Sequence, residues 1–119
     1  MSKINSFQDL ECWKNARKLT VAIYQLNGEI TKDYGLRDQL RRASVSIMNN
    51  IAEGYGRFSN KEKIRYLEIA QSSTNEVQSM LFILEDLFYL ESTETQSLRD
   101  LATVTQKQTW GLIKYLRNN

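Results

Sequence analysis

The sequence predicts an all-α fold, an antiparallel up-down-up-down four-helix bundle filling one domain, and three observations point to it. Its 119 residues include no proline and only five glycines, so the punctuation that an all-β chain needs at every reversal is missing. Apolar residues recur at three-to-four spacing through four long stretches, the period of one helix face. Short segments carrying glycine, serine, threonine or asparagine separate those stretches, suited to ending one helix and capping the next.

The first helix is expected over about Phe7–Leu26, opened by Ser6-x-x-Asp9 in the manner of a capping box and closed before Gly28. Leu10, Trp13, Ala16, Thr20, Ile23 and Tyr24 mark its apolar side. A second runs from about Leu36 to Tyr55, with Leu40, Ala43, Ile47, Ile51 and Tyr55 inward. Gly54 and Gly56 then loosen the backbone, and Ser59 or Asn60 caps the next helix. This third and longest helix is expected over about residues 61–90, some 45 Å at a rise of 1.5 Å per residue. Its core row is Ile64, Leu67, Thr74, Val77, Leu81, Leu84 and Phe88. Thr93-x-x-Gln96 reads as the cap of a fourth helix over about residues 94–116, with Leu98, Leu101, Thr105, Leu112 and Tyr115 inward. Short connections make consecutive helices antiparallel.

Composition excludes several chemistries. There is no histidine, which removes the Glu-x-x-His sites of di-iron bundles and any Ser-His or Cys-His dyad. The paired Glu-x-x-Glu carboxylates that a nucleotide pyrophosphohydrolase bundle uses for Mg²⁺ are also missing. No catalytic residue, metal ligand, cofactor or small-molecule substrate is therefore expected. The single cysteine, Cys12, cannot pair within the chain, and nothing at the amino-terminal end resembles a signal peptide. A cytoplasmic protein without membrane attachment is the expectation.

Two patterns exceed the needs of four amphipathic helices. The late third helix carries a second apolar row, Met80, Ile83, Leu87 and Leu90, beside the first, and together they sweep about half its circumference. Either a deeply buried central helix or a subunit interface would account for it, and the rarity of such patches on monomers favours the interface. In the column of Met80, Ile83 and Leu87 stands Glu76, and a carboxylate among apolar neighbours calls for a partner. Arg42 on the second helix is the candidate, as an architectural ion pair.

Charge is segregated although the net is only +2. Residues 37–65 hold seven basic and three acidic side chains, whereas residues 66–100 hold one basic and seven acidic. In an up-down bundle one end collects Lys3, Lys14, Arg57, Lys61, Lys63, Arg65, Lys114 and Arg117. Compensation of helix dipoles explains cations at helix C-termini but not Lys61 and Lys63, which fall in the first turn of the third helix and oppose its dipole. Arg57, Lys61, Lys63 and Arg65 are accordingly the candidate nucleic-acid-binding residues, with Tyr55, Phe58 and Tyr66 as aromatics interleaved among them. A protein–protein adaptor is the alternative, presenting its acidic end, Glu91, Glu94 and Asp100, to a partner.

Three segments carry a family resemblance: Phe7-Gln8-Asp9-Leu10-Glu11-Cys12-Trp13, then Leu36-Arg37-Asp38-Gln39-Leu40-Arg41-Arg42-Ala43-Ser44-Val45-Ser46-Ile47, then Asn50-Ile51-Ala52-Glu53-Gly54-Tyr55-Gly56-Arg57. They resemble the four-helix bundle proteins encoded in intervening sequences of bacterial 23S rRNA genes, a family that includes the accessory variability proteins of diversity-generating retroelements. The resemblance implies a ring-shaped homopentamer without enzymatic activity. In the accessory group it also implies binding to nucleic acid beside a reverse transcriptase, although that group is far more basic than this chain. Taken with the charge pattern, the expectation is a non-enzymatic homo-oligomer contacting RNA or a ribonucleoprotein through its basic end.

Overall fold

The computed structural model describes residues 4–119. Four helices make up the fold: α1 (Glu11–Tyr24), α2 (Tyr34–Tyr55), α3 (Asn60–Asp86) and α4 (Ser92–Arg117), with short 3₁₀ turns at Phe7–Asp9 and Glu29–Lys32. No strand occurs among the described residues, and none of their helices is long and apolar enough to cross a membrane. The arrangement fits a four-helix bundle, with α1 packed on α2 and α4, and α3 likewise on α2 and α4.

Side-chain contacts fix how neighbours run. Between α3 and α4 the meeting points are Asn60 with Leu116, Gln71 with Gln106, Gln78 with Thr103, and Glu85 with Arg99, so the numbering rises on one helix as it falls on the other. Between α2 and α3, Ser46 meets Ser73 Oγ to Oγ at 2.8 Å, and Gly54 lies against Lys63, Tyr66 and Leu67. Leu19, Ile47, Ile51, Leu67, Val77, Leu81, Leu84 and Ile113 fill the centre. Thr74, Thr105 and Thr109 are also fully buried, and each hydroxyl donates to the carbonyl one turn earlier, at 2.8–2.9 Å. Satisfied in this way, a threonine packs as a β-branched apolar residue at little cost.

Most of the expected inward residues are buried, but Tyr24, Phe88 and Tyr115 are exposed. Helix starts differ by a few residues. Ser6-x-x-Asp9 shapes the 3₁₀ turn before α1, with Asp9 Oδ2 accepting from the backbone N–H groups of Asn5 and Ser6. The first turn of α4 is set by Glu91 and Glu94, not Thr93 and Gln96: Glu91 N–H donates to Glu94 Oε1 at 3.4 Å. Glu91 and Glu94 are themselves a Glu-x-x-Glu spacing, contrary to the expectation that the chain has none, and capping occupies it.

The largest departure is the end of α3, which stops at Asp86 rather than near Leu90. Phe88 adopts a left-handed backbone, φ 57°. Its N–H donates to Glu85 O and the Tyr89 N–H to Leu84 O, the paired bonds of a Schellman stop. Glycine is the residue that usually takes this conformation; a phenylalanine there costs about 1–2 kcal/mol. Leu87 and Leu90 consequently lie off the helix, and the apolar columns drawn through them do not continue. Of the four expected interface residues, Met80 and Leu90 are buried within the chain itself. Ile83 and Leu87 remain exposed, at 44% and 48%, in company with Phe82 and the almost bare Phe88.

Candidate nucleic-acid interface

Three parts of the chain meet at one end of the bundle, and local sequence explains each. Gly54 allows α2 and α3 to approach closely, since a Cβ there would lie 3.1 Å from the Lys63 carbonyl oxygen and 3.3 Å from Tyr66 Cβ. Ser59 then caps α3, accepting from the Glu62 N–H at 3.1 Å. Asn60 reaches across to α4 and donates to Leu116 O at 3.2 Å, and Arg117 of α4 pairs with Glu68 of α3 at 3.2 Å. The amino-terminal turn joins the same end, where Phe7 and Arg57 line one cleft of about 600 Å³. A second cleft of about 930 Å³ lies between the start of α3 and the end of α4, lined by Ser59, Lys61, Arg65 and Arg117 among others.

The structure thus brings Arg57, Lys61, Lys63 and Arg65 to one tip, but not as equals. Arg57 is held at 2.8 Å by Glu53 and stacks on the Tyr66 ring at 4.6 Å, so it is already engaged within the chain. Arg65 approaches the same ring at 5.5 Å. Lys61, Lys63 and Arg65 form no ion pair among the described residues, and Lys61 and Arg65 are exposed. Arg57 also sits just beyond α2, not in its last turn, which holds no basic residue. Lys3, assigned to this end from sequence, lies outside the described residues.

The wider face holds residues that sequence reasoning passed over. Asn15 donates to Gln108 at 2.8 Å across the α1–α4 seam, and Arg17 and Lys18 on α1 and Lys107 on α4 are exposed without an ion pair among the described residues, Arg17 lying over the Trp13 ring at 5.7 Å. Their signal was weak, because no run of like charges marks them. Glu53 holding Arg57, by contrast, was legible as an i, i+4 pair.

The expected ion pair between Arg42 and Glu76 does not form. Both line one open cleft between α2 and α3, with Gln39, Ser46, Ser73 and Ser79, and both are exposed. Water solvates each, so Glu76 needs no partner; Met80 beside it turns inward, and the shared column was only nominal. The part-buried pair joins α3 to α4 instead: Arg99 Nη1 lies 2.7 Å from Glu85 Oε1, and Arg99 also covers the Phe82 ring at 4.2 Å. The Arg99 hydrogen bond, aided by the Thr95 hydroxyl, holds the Glu85 carboxyl below its ordinary range.

Among the described residues no group of three histidine, cysteine or acidic side chains is placed to hold a metal ion. Burial pushes the Cys12 thiol up, so it is a poor nucleophile. Residues 8–111 match the sequence profile of the 23S rRNA-intervening sequence protein family. The chain belongs to that family. Its fold also matches the crystal structure of a protein of unknown function from the S23 ribosomal protein family of Bacteroides thetaiotaomicron, with a TM-score of 0.79 over 87% of this chain and 95% of that one. Identity is 24%, so that likeness establishes the fold alone. Among curated proteins, none matches.

Proposed function

We propose that this protein is a non-enzymatic, cytoplasmic up-down-up-down bundle that assembles as a homopentamer and contacts RNA, or a ribonucleoprotein, through its basic tip. One observation carries the RNA reading: Lys61 and Lys63 stand at the start of α3, against its dipole, with Arg65 in the next turn, and none of the three has a carboxylate partner among the described residues. Unpaired cations held at an unfavourable site are explained by an anion that completes them. Self-assembly is supported by Phe82, Ile83, Leu87 and Phe88, which the single chain leaves open to water. Copies aligned side by side would gather their tips into one charged surface.

Affinity for RNA measured against salt tests the proposal. Three phosphate contacts give a slope of about −2 in log affinity against log salt for single strands, and reversing Lys61 and Lys63 to glutamate should reduce it to about −0.7. Salt-insensitive binding, or binding indifferent to those reversals, refutes the tip as the site. Light scattering on the same samples should give a multiple of 13.9 kDa that falls when Ile83 and Leu87 are changed to serine; a 13.9 kDa wild-type particle refutes the assembly. A second reading, an adaptor for a protein partner, is favoured by the strained and exposed Phe88 beside Glu91 and Glu94. It predicts nuclease-resistant capture of a protein, lost on changing Glu91 or Glu94.

A further inference from the structure

Resting on the RNA reading above, we infer that Phe58 is a stacking platform for an unpaired base, so that the tip takes single-stranded RNA in preference to duplex. Phe58 is 100% exposed, the most exposed large apolar side chain among the described residues. Its ring makes no aromatic or cation–π contact there, although the neighbouring Tyr66 ring carries two guanidinium groups. A phenylalanine left wholly in water forgoes its share of hydrophobic stabilisation, and here neither the bundle core nor the adjacent arginines recover it.

The backbone beneath this ring is tied down on both sides. Before it, Arg57 N–H donates to Gly54 O at 3.2 Å, and Gly56 N–H to Glu53 O at 3.1 Å. After it, Ser59 caps α3 through its hydroxyl, and its carbonyl accepts from the Lys63 N–H at 3.0 Å. A ring presented from a fixed connection loses little further freedom on binding. Phe58 also stands on a ridge: Arg57 lines the cleft on one side, while Ser59, Lys61 and Arg65 line the cleft on the other. A strand crossing the ridge with one base on the ring therefore meets the unpaired Lys61 and Arg65 on the α3 side, while on the other side Arg57 is already paired with Glu53. Only an unpaired base offers its face, because both faces of a duplex base are already stacked on neighbours. A second copy of this chain is the poorer occupant. The exposed apolar cluster Phe82, Ile83, Leu87 and Phe88 lies at the opposite end of α3, and two like-charged tips brought together would repel.

The test uses the full chain and two fluorescently labelled RNAs of one length, a single strand and a duplex, with affinity read by anisotropy at low salt. Phe58→Ala should weaken single-strand binding by about 5- to 150-fold, as for loss of one stacked base. Duplex affinity should not change, and Phe58→Trp should retain the single-strand affinity. Equal loss on both RNAs, or no loss on the single strand, overturns the inference. So does a fall in particle mass with Phe58→Ala, which would assign the ring to a contact between copies. If wild type binds neither RNA, this inference falls together with the RNA reading; if wild-type binding responds to Lys61 and Lys63 but not to Phe58, this inference alone falls.

Discussion

Replacing Gly54 by alanine tests the junction on which the tip is built. Two effects oppose each other. In the last turn of α2, alanine is favoured over glycine by about 1 kcal/mol of helix propensity. Against this, the new methyl would sit 3.1 Å from the Lys63 carbonyl oxygen and 3.3 Å from Tyr66 Cβ. The first of these is backbone inside α3, which no side-chain rotation can clear, so the helix as a whole must give by a few tenths of an ångström. Overpacking of that kind costs about 1–3 kcal/mol, and with a middle value the variant is destabilised by about 1 kcal/mol net. Gly111 supplies the control. It lies in α4 with nothing within 4 Å of a built Cβ, so Gly111→Ala keeps only the propensity gain of about 1 kcal/mol. Near the midpoint, 1 kcal/mol corresponds to about 4 °C for a chain of this size. Thermal unfolding followed by circular dichroism, at matched protein concentration, should place the two variants on opposite sides of wild type, about 8 °C apart. Should Gly54→Ala melt at or above wild type, the close approach of α2 and α3 is not a constraint, and the placement of Lys63 and Tyr66 needs another cause.

Phe88→Gly should raise stability by about 1 kcal/mol, read from urea unfolding, because it relieves a left-handed backbone while surrendering a side chain that is 92% exposed. A loss would mean that the Phe88 ring is packed in solution, as a subunit contact would require. Glu85 has its folded-state pKa depressed, chiefly by Arg99, so the stability it contributes is present above the ordinary carboxylate value and is lost as pH falls through the depressed one. Acid titration of the urea midpoint should therefore show a decline that Glu85→Gln makes shallower, and identical profiles would remove the pair from the account.

Helix number and helix faces were legible because they depend on local periodicity alone. Leu40, Ala43, Ile47 and Ile51 are spaced for one face and are buried on it. The end of α3 was not legible, for a physical reason. Leu87, Phe88, Tyr89 and Leu90 continue the apolar composition without a glycine or proline to stop it, yet the chain reverses at a phenylalanine. What holds the reversal is remote: the Tyr89 hydroxyl donates to Asp33 Oδ2 at 3.1 Å, while Leu90 is buried against the core. Tertiary contacts of that sort outweigh a strain of about 1–2 kcal/mol and leave no local trace. The extra apolar row was therefore half misassigned, with two residues serving this chain's own core and two left outside.

The site was legible to a similar depth, and its limit has a single source. Charges can be counted from sequence and even placed at one end of a bundle, and Arg57, Lys61, Lys63 and Arg65 do lie close to one another around the α2–α3 connection. What a linear reading does not show is how much of each charge the molecule itself consumes. Arg57 is neutralised by Glu53 one turn back, and Arg117 is held by Glu68 on another helix, so only the first is visible as spacing. Arg42 and Glu76 fail in the opposite direction, being opposite charges on neighbouring helices that share a cleft and remain apart in water. An ion pair at a surface is worth less than about 1 kcal/mol, too little to draw two solvated side chains together unless packing has already placed them. By the same reasoning the cations that packing leaves without an ion pair at this end, among the described residues, are Lys61, Lys63, Arg65 and Lys114, not the basic residues as a whole.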